Sequence, residues 1–239
     1  MRIKVIMTDK AMDRETMDQR EVMLAAAVSK GTEISVDCIR KGPDELDCHT
    51  DEAFAAAELV KESIRAEQEG YDAIVIYCFS DVGIEAVREN VSIPVIGPGE
   101  TSIAFAGMIC NRFLVITTQS RNIPRTTRRL QKYAEARAKM TSVRALDIPI
   151  GELRINPNAT GDRLKEVVAE AVEREQIDGV ILGCLGMASY GEEIEEALPV
   201  KVFDPAFIAL AYAELCVRIG ICHTHASYPL FTNESNVDL

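Results

Sequence analysis

Two cysteines, Cys78 and Cys184, hold matching places in the two halves of this 239-residue chain. Each cysteine ends a short apolar run that an aspartate opens, reading Asp72-AIVIY-Cys78 in one half and Asp178-GVILG-Cys184 in the other. A helix-like stretch and then a strand that begins with Pro-Val follow both of them. A free cysteine is usually a small buried hydrophobe, but two unrelated core thiols have little reason to share one position of a repeated unit. The pair is therefore the candidate catalytic machinery.

The chemistry that suits two like groups is proton transfer at a carbon next to a carbonyl. A base removes the proton from one face of that carbon, and an acid returns a proton to the other face. A thiol has an ordinary pKa of about 8.5, so surroundings that lower it make the thiolate a usable base near neutrality. Because the roles exchange in the reverse direction, acid and base should be chemically alike, as two cysteines are.

The elements that must position these cysteines alternate along the chain. Short β-branched runs are separated by longer stretches of helical period, which is typical of parallel sheets covered by helices. We predict strands at Ile3–Met7, Glu33–Cys38, Ala73–Tyr77, Val95–Ile96, Phe113–Thr117, Ser142–Leu146, Gly179–Leu182 and Val200–Phe203. Predicted helices include Glu52–Gln68, Thr160–Glu175, which Asn156-Pro157-Asn158 would cap, and Ala206–Arg218. The predicted fold class is α/β.

The repeat also predicts two doubly wound lobes, each a mostly parallel sheet with helices on both faces. Residues 1–98 plus 207–239 would form the first α/β lobe and carry Cys78, and residues 99–206 would form the second and carry Cys184. Ligands of open α/β sheets bind beyond the carboxyl ends of the strands, which is where both cysteines fall.

Composition excludes several classes of partner. A net charge of −12 argues against binding to nucleic acid or an anionic membrane, because both need a basic surface. The amino-terminal segment is too charged for a signal peptide, and no apolar stretch is long enough to span a membrane, so we expect a cytoplasmic protein. Seven cysteines without a CxxC pattern fit reduced thiols. No GxGxxG or Walker loop is present, so we expect no nucleotide cofactor.

The residues beside the two cysteines are candidates for binding. Phe79 offers a pocket wall and Ser80 a hydroxyl donor, while Gly183 and Gly186 would let the backbone approach a ligand or make a tight turn. A helix beginning just after Cys184 would favour its thiolate. We expect the other cysteines to be core or loop residues, and Cys222-His223-Thr224-His225 to hold no metal, since zinc needs three or four ligands in fixed geometry.

Four segments carry a family resemblance: Cys78-FSDVG, Arg112-FLVITTQSRNIP, Gln131-KY and Gly183-CLGMA. Together they resemble the hydantoin racemases of the aspartate/glutamate/hydantoin racemase superfamily over about Tyr71 to Ala209. The resemblance implies two Rossmann-like lobes related by a pseudo-dyad, with the active site in the cleft between them. It also implies a homo-oligomer and a cofactor-independent mechanism with Cys78 and Cys184 as acid and base. Residues that would bind the substrate ring are Phe79, Ser80, Thr117, Thr118, Gly183, Leu185 and Gly186.

The loop after the first strand departs from the family pattern. Hydantoin racemases usually carry an Asn-Pro-Asn-Thr loop that contacts substrate, whereas this chain reads Met7-Thr8-Asp9-Lys10, which makes Asp9 the candidate contact. Lys10 would suit a carboxylate-bearing substrate, or is a solvated surface lysine.

The expected substrate is a small molecule, a 5-substituted hydantoin or allantoin. Three alternatives stay open: an amino-acid racemase of the aspartate/glutamate type, an arylmalonate-type decarboxylase, and a non-catalytic two-lobed ligand-binding protein.

Overall fold

The computed structural model describes residues 1–231, which divide into two compact units. Met1–Pro98 and the chain from Ala209 onward make the first unit, and Gly99–Ile208 makes the second. Residues 232–239, which the sequence analysis assigns to the first lobe, lie outside the described residues. The strands are β1 (Arg2–Met7), β2 (Glu33–Cys38), β3 (Ala73–Tyr77), β4 (Val95–Ile96), β5 (Phe113–Thr117), β6 (Met140–Ala145), β7 (Gly179–Leu182) and β8 (Lys201–Phe203). The α-helices are α1 (Arg14–Ala25), α2 (His49–Gln68), α3 (Ile84–Arg88), α4 (Pro98–Ile109), α5 (Ile123–Leu130), α6 (Ala134–Lys139), α7 (Pro157–Glu175), α8 (Gly191–Ala197) and α9 (Pro205–Ile219).

The first unit is built on a parallel four-stranded sheet in the order β2-β1-β3-β4. Its central strand β3 is buried along its whole length, as expected for a parallel strand with both faces covered. Apolar side chains of α2 and α3, including Leu59 and Val87, pack with Ile74 and Ile76 of β3 into one hydrophobic core.

The second unit has the same strand order, β6-β5-β7-β8, and again all pairs are parallel. Its core joins β5 and β7 to α7 and α8, with Leu114, Leu182, Leu164 and Ile194 in contact. The predicted α/β class with parallel sheets is confirmed. Strand β3 of the first unit and β7 of the second hold the same place in their sheets.

The two aspartates that open the repeated runs stabilise the start of the neighbouring strand. Asp72 accepts a hydrogen bond from the backbone N–H of Arg2 at 2.6 Å. Asp178 accepts from the N–H groups of Asn111 and Arg112 at 2.9 and 2.8 Å. Both carboxylates satisfy donors that precede or begin a sheet strand. This shared structural role explains why an aspartate recurs at this position of the repeat.

Most predicted strands have the observed bounds, and the main differences have local causes. β6 begins at Met140 rather than Ser142 because its pairing with β5 shifts register at Phe113, which adds residues to this edge strand. α7 begins at Pro157 rather than Thr160, since proline is tolerated in a first helical turn. The Asn156 side chain caps it by accepting from Ala159 N–H at 3.2 Å, as predicted. Within residues 1–231, no helix is both long and apolar enough to cross a bilayer.

Candidate active site

Cys78 is the first residue after β3, at the carboxyl end of the first sheet. Its N–H donates to Ile76 O at 2.7 Å, and its carbonyl accepts from Asp81 N–H at 3.0 Å, so the chain turns sharply at the cysteine. Phe79 is buried, while Cys78 and Ser80 are partly exposed. A partly exposed thiol at a strand end is accessible to a ligand in a way that a core thiol is not.

Cys184 lies two residues after β7, at the carboxyl end of the second sheet, and is also partly exposed. The predicted α-helix after it is wrong. A three-residue 3-10 turn, Leu185–Met187, follows the cysteine, and it ends because Ala188 is extended and Ser189 adopts φ 73°. One 3-10 turn therefore stands where we predicted a helix whose dipole would favour the thiolate, and α8 begins only at Gly191.

A buried threonine accompanies each cysteine. Met7 pairs with Tyr77 between β1 and β3, so the next residues in register are Thr8 and Cys78. In the second unit Ile116 pairs with Leu182, and continuing that register sets Thr117 beside Gly183 and Thr118 beside Cys184.

Thr8 is 4% exposed and Thr118 is 3% exposed. Sequence analysis missed Thr8. It is the first residue after β1, as Thr118 is the first residue after β5.

Both glycines of the second cysteine segment are required by close packing within the unit. A Cβ on Gly183 would lie 2.6 Å from the backbone oxygen of Ile116, which accepts the Gly183 N–H at 2.8 Å. A Cβ on Gly186 would lie 2.8 Å from Leu153 Cδ1 and 3.5 Å from the Cys184 sulfur. Close packing against Ile116 and Leu153, and not a positive φ, is therefore what requires glycine at these two positions.

A buried aspartate lies between each cysteine segment and the end of the adjacent outer strand. In the first unit Asp81 belongs to the cysteine segment, and a Cβ on Gly97, after β4, would be 2.7 Å from its carboxyl carbon. In the second unit the order is reversed, because Asp204 follows β8 and accepts from Ser189 N–H in the cysteine segment at 2.7 Å. Asp81 is 5% exposed and Asp204 is 8% exposed. Sequence analysis singled out neither aspartate.

Most of this chain is similar to proteins of one known family. The Asp/Glu/Hydantoin racemase family matches residues 15–213, most of the chain. The chain belongs to the Asp/Glu/Hydantoin racemase family. This confirms the resemblance drawn from the four motifs and the expectation of an isomerase of the racemase type. A small-molecule substrate fits a member of this family.

Individual relatives agree with the family assignment. A hydantoin racemase from Paenarthrobacter aurescens is 31% identical over 194 residues, covering 81% of this chain and 82% of that protein. A hydantoin racemase from Pseudomonas sp. (strain NS671) is 29% identical over 198 residues, covering 82% of this chain and 78% of that protein. Among solved structures, an allantoin racemase from Klebsiella pneumoniae superposes with a TM-score of 0.90 at 27% identity, covering 99% of this chain and 96% of that one.

Within this racemase-family fold, Asp9 follows the central strand β1 and is partly exposed. Burial raises the pKa of its carboxyl, although backbone hydrogen bonds from Ala11 and Met12 and the charge of Arg20 oppose the rise. Lys10 is exposed, and its Nζ lies 3.6 Å from Asp44, which favours the solvated interpretation of this lysine. The first loop therefore presents a partly buried acid, Asp9, and its lysine lies exposed beside Asp44.

The raised pKa of Asp9 has a consequence for stability. Its unfolded-state pKa is about 3.9, so between that value and the higher folded pKa the folded state binds more protons, and stability falls as pH rises. Asp9→Asn keeps one oxygen acceptor at this position and removes the carboxyl group that causes this loss. We expect the variant to melt at a higher temperature than the parent at pH 7, with the difference shrinking at about pH 3.5. Melting curves at several pH values test this, and a difference independent of pH would contradict it.

The remaining cysteines differ from the pair. All seven cysteines lie within the described residues, and none is in a disulfide. Cys110 and Cys216 are buried, as predicted for core residues, but Cys38 and Cys222 are only partly so, and Cys48 is exposed. Burial raises the pKa of Cys38 and Cys110 to about 11, so both are protonated near neutrality. In the described part of the chain, no three His, Cys, Asp or Glu side chains form a group that could hold a metal ion.

Proposed function

We propose that this protein racemises 5-substituted hydantoins or allantoin without a cofactor, with Cys78 and Cys184 as the acid–base pair. The observation that carries the proposal is their equivalence: each follows the third strand of a sheet with the same strand order. Family membership supports the reaction class, and the relatives named as hydantoin and allantoin racemases support the substrate class.

In the proposed mechanism one cysteine is a thiolate and the other is a thiol. The thiolate removes the proton from C5 of the ring, and the electron pair of the broken C–H bond forms an enolate at the C4 carbonyl. The thiol then gives its proton to C5 from the opposite face, leaving the inverted product and exchanged protonation states of the two sulfurs. Backbone N–H groups and hydroxyls near the strand ends would stabilise the enolate oxygen.

Chemistry near the two cysteines favours a neutral ring over an amino acid. A cation suits the carboxylate of an amino acid, but the strand-end segments 7–9, 78–81, 117–119 and 183–189 contain no Lys or Arg, and the guanidinium of Arg154 beside the last of them binds two backbone carbonyls. They offer hydroxyl groups instead, from Thr8, Ser80, Thr117 and Thr118. Hydroxyls can donate to ring carbonyls and accept from ring N–H groups, which a hydantoin presents together. The proposed binding residues are Thr8, Asp9, Phe79, Ser80, Thr117, Thr118, Gly183, Leu185 and Gly186.

A panel of single enantiomers tests the substrate class. We expect 5-alkyl hydantoins or allantoin to lose optical rotation at a rate proportional to enzyme concentration, after the rate without enzyme is subtracted. L-aspartate and L-glutamate should keep their rotation. Circular dichroism follows the reaction, and a parallel assay for carbon dioxide from an arylmalonate separates the decarboxylase alternative. Loss of rotation only with the amino acids, or with no compound, would contradict the proposal.

A further inference from the structure

One arginine from elsewhere in the second unit, Arg154, binds the segment from Cys184 to Tyr190. Arg154 Nε donates to Gly186 O at 2.9 Å, and its Nη2 donates to Ala188 O. The guanidinium also lies 5.3 Å from the centre of the Tyr190 ring. Two backbone carbonyls and one ring of the same short segment are therefore held by a single side chain. Its planar fork of N–H donors is suited to binding two acceptors at once.

The residue before this arginine completes the support. Leu153 is fully buried, and its Cδ1 occupies the space that a side chain on Gly186 would need. The Leu153 carbonyl accepts from the Tyr190 hydroxyl at 3.2 Å and from the Thr160 hydroxyl at 3.0 Å. Thr160 is on α7, so the segment is tied to a long helix of the unit.

Asp204 holds the same segment at Ser189. Its Oδ2 accepts from Ser189 N–H at 2.7 Å, and its Oδ1 accepts from Ala206 N–H at 3.0 Å, which joins the segment to the start of α9. Ser189 is the residue with positive φ, so this bond fixes the backbone where it is least favourable for a side chain. Burial raises the pKa of the Asp204 carboxyl, and the charge of Arg154 opposes that rise.

The first unit has no equivalent of this arginine at the matching place. Arg154 stands three residues before α7, and the residue three positions before α2 is Leu46, which packs against the hydrophobic core. Residues 44–48 contain no cation. Leu46 therefore packs in the core at the place where the second unit has the arginine that binds the Cys184 segment.

We propose that Arg154 and Asp204 are positioning residues for Cys184, holding segment 184–190 so that the thiol and its neighbouring N–H groups keep one orientation. The proposal rests on the function proposed above for the two cysteines. Neither side chain is required to contact the substrate. Because both side chains bind the Cys184 segment, their loss impairs the proton transfer by Cys184 and leaves that by Cys78 unchanged.

Two variants, each lacking one cysteine of the pair, allow the two proton transfers to be measured separately. In Cys78→Ser the remaining thiol of Cys184 can exchange the C5 hydrogen of one enantiomer with solvent, and in Cys184→Ser the thiol of Cys78 can exchange that of the other. We expect Arg154→Ala to slow exchange on the order of 100-fold in the Cys78→Ser background, as misplacement of a catalytic group does. It should leave exchange in the Cys184→Ser background unchanged. The measurement is NMR of a 5-alkyl hydantoin in deuterated water.

Further variants separate positioning from general damage to the fold. Arg154→Lys keeps the charge but offers one ammonium in place of a fork, so it should restore exchange only in part. The amide side chain introduced in Asp204→Asn can accept only one of the two N–H bonds. The variant should slow the same transfer by about 10-fold, which is the cost expected for one unsatisfied hydrogen-bonding group. Arg144→Ala is the matched control, because Arg144 pairs with Glu175 at 2.6 Å on the edge strand β6, in the same unit. It should affect both backgrounds equally or neither.

Amide hydrogen exchange gives a readout that needs no substrate. Arg154→Ala should raise exchange of the N–H groups in residues 184–190, whereas Arg144→Ala should not. If the parent neither racemises nor exchanges any hydantoin, the proposed function fails while this measurement still decides whether Arg154 holds the segment. Unchanged protection of residues 184–190, or equal slowing in both backgrounds, would overturn the inference. If Arg154→Ala does not fold, Arg154→Lys carries both measurements.

Discussion

Replacing either cysteine by serine is expected to lower the rate of racemisation by about a thousandfold or more, since each position supplies an acid or a base that the reaction cannot proceed without. A serine hydroxyl is far too weakly acidic to replace the thiol. The two variants should nevertheless differ. Cys78→Ser should still exchange the C5 hydrogen of one enantiomer with solvent, and Cys184→Ser that of the other. Chiral chromatography and NMR in deuterated water measure the two quantities together.

Cys48→Ser is the matched control for this pair. Cys48 is an exposed thiol at the N-cap of α2, a position where serine is a favoured residue, so folding and racemisation should both be preserved. The two-thiol mechanism would be contradicted by full racemisation in Cys78→Ser or in Cys184→Ser. Exchange of the same enantiomer by both variants would also contradict it, because one face of the carbon would then be served by both groups.

Gly183→Ala is expected to damage both the fold and the reaction. The added methyl would lie 2.6 Å from Ile116 O and 2.8 Å from Val115 Cγ1, both on β5. The backbone oxygen cannot move aside as the end of a flexible side chain can, so β5 and the Cys184 segment must separate. We expect a loss of about 1–3 kcal/mol in the free energy of unfolding, in the range of overpacking substitutions. A rate loss on the order of 100-fold should accompany it.

Gly191→Ala serves as the control for Gly183→Ala. Gly191 begins α8, and a Cβ there would lie 3.4 Å from Val202 Cγ1, so the same change in the same unit meets little obstruction. Alanine also favours a helix more than glycine does. Urea unfolding and racemisation rates should separate the two variants clearly. Equal stability of Gly183→Ala and the parent would show that the close approach to β5 does not constrain this segment.

Local pattern was enough to predict most of the strands and the places of the two cysteines. The runs after Asp72 and Asp178 are short and apolar, and each ends at a cysteine, so their bounds can be predicted from the sequence. The same pattern misjudged the stretch after Cys184, because the chain reverses at Ser189, where the backbone N–H donates a hydrogen bond to the distant Asp204 carboxylate.

Residues that act across long sequence separations were missed for the same reason. Arg154 contacts carbonyl groups 32 and 34 residues further along the chain, and nothing in its neighbours signals this. Thr8 could be predicted from the sequence, since residues 1–10 and 111–120 share Arg, Val, Ile and Thr at matching positions. Aligning the first strand with the fifth would have paired Thr8 with Thr118. The repeat that contains the two cysteines therefore extends to β1 and β5.

The most direct measurement of the central claim is the fate of hydrogen during a single turnover in deuterated water. One enantiomer of a 5-alkyl hydantoin, protonated at C5, is incubated with the parent protein, and both enantiomers are separated at early times. Two opposed thiols predict product that carries deuterium at C5 while the remaining substrate keeps its hydrogen, because the proton is taken on one face and delivered from the other. Product that retains the substrate's own hydrogen, or equal deuteration of both enantiomers from the start, would contradict the account.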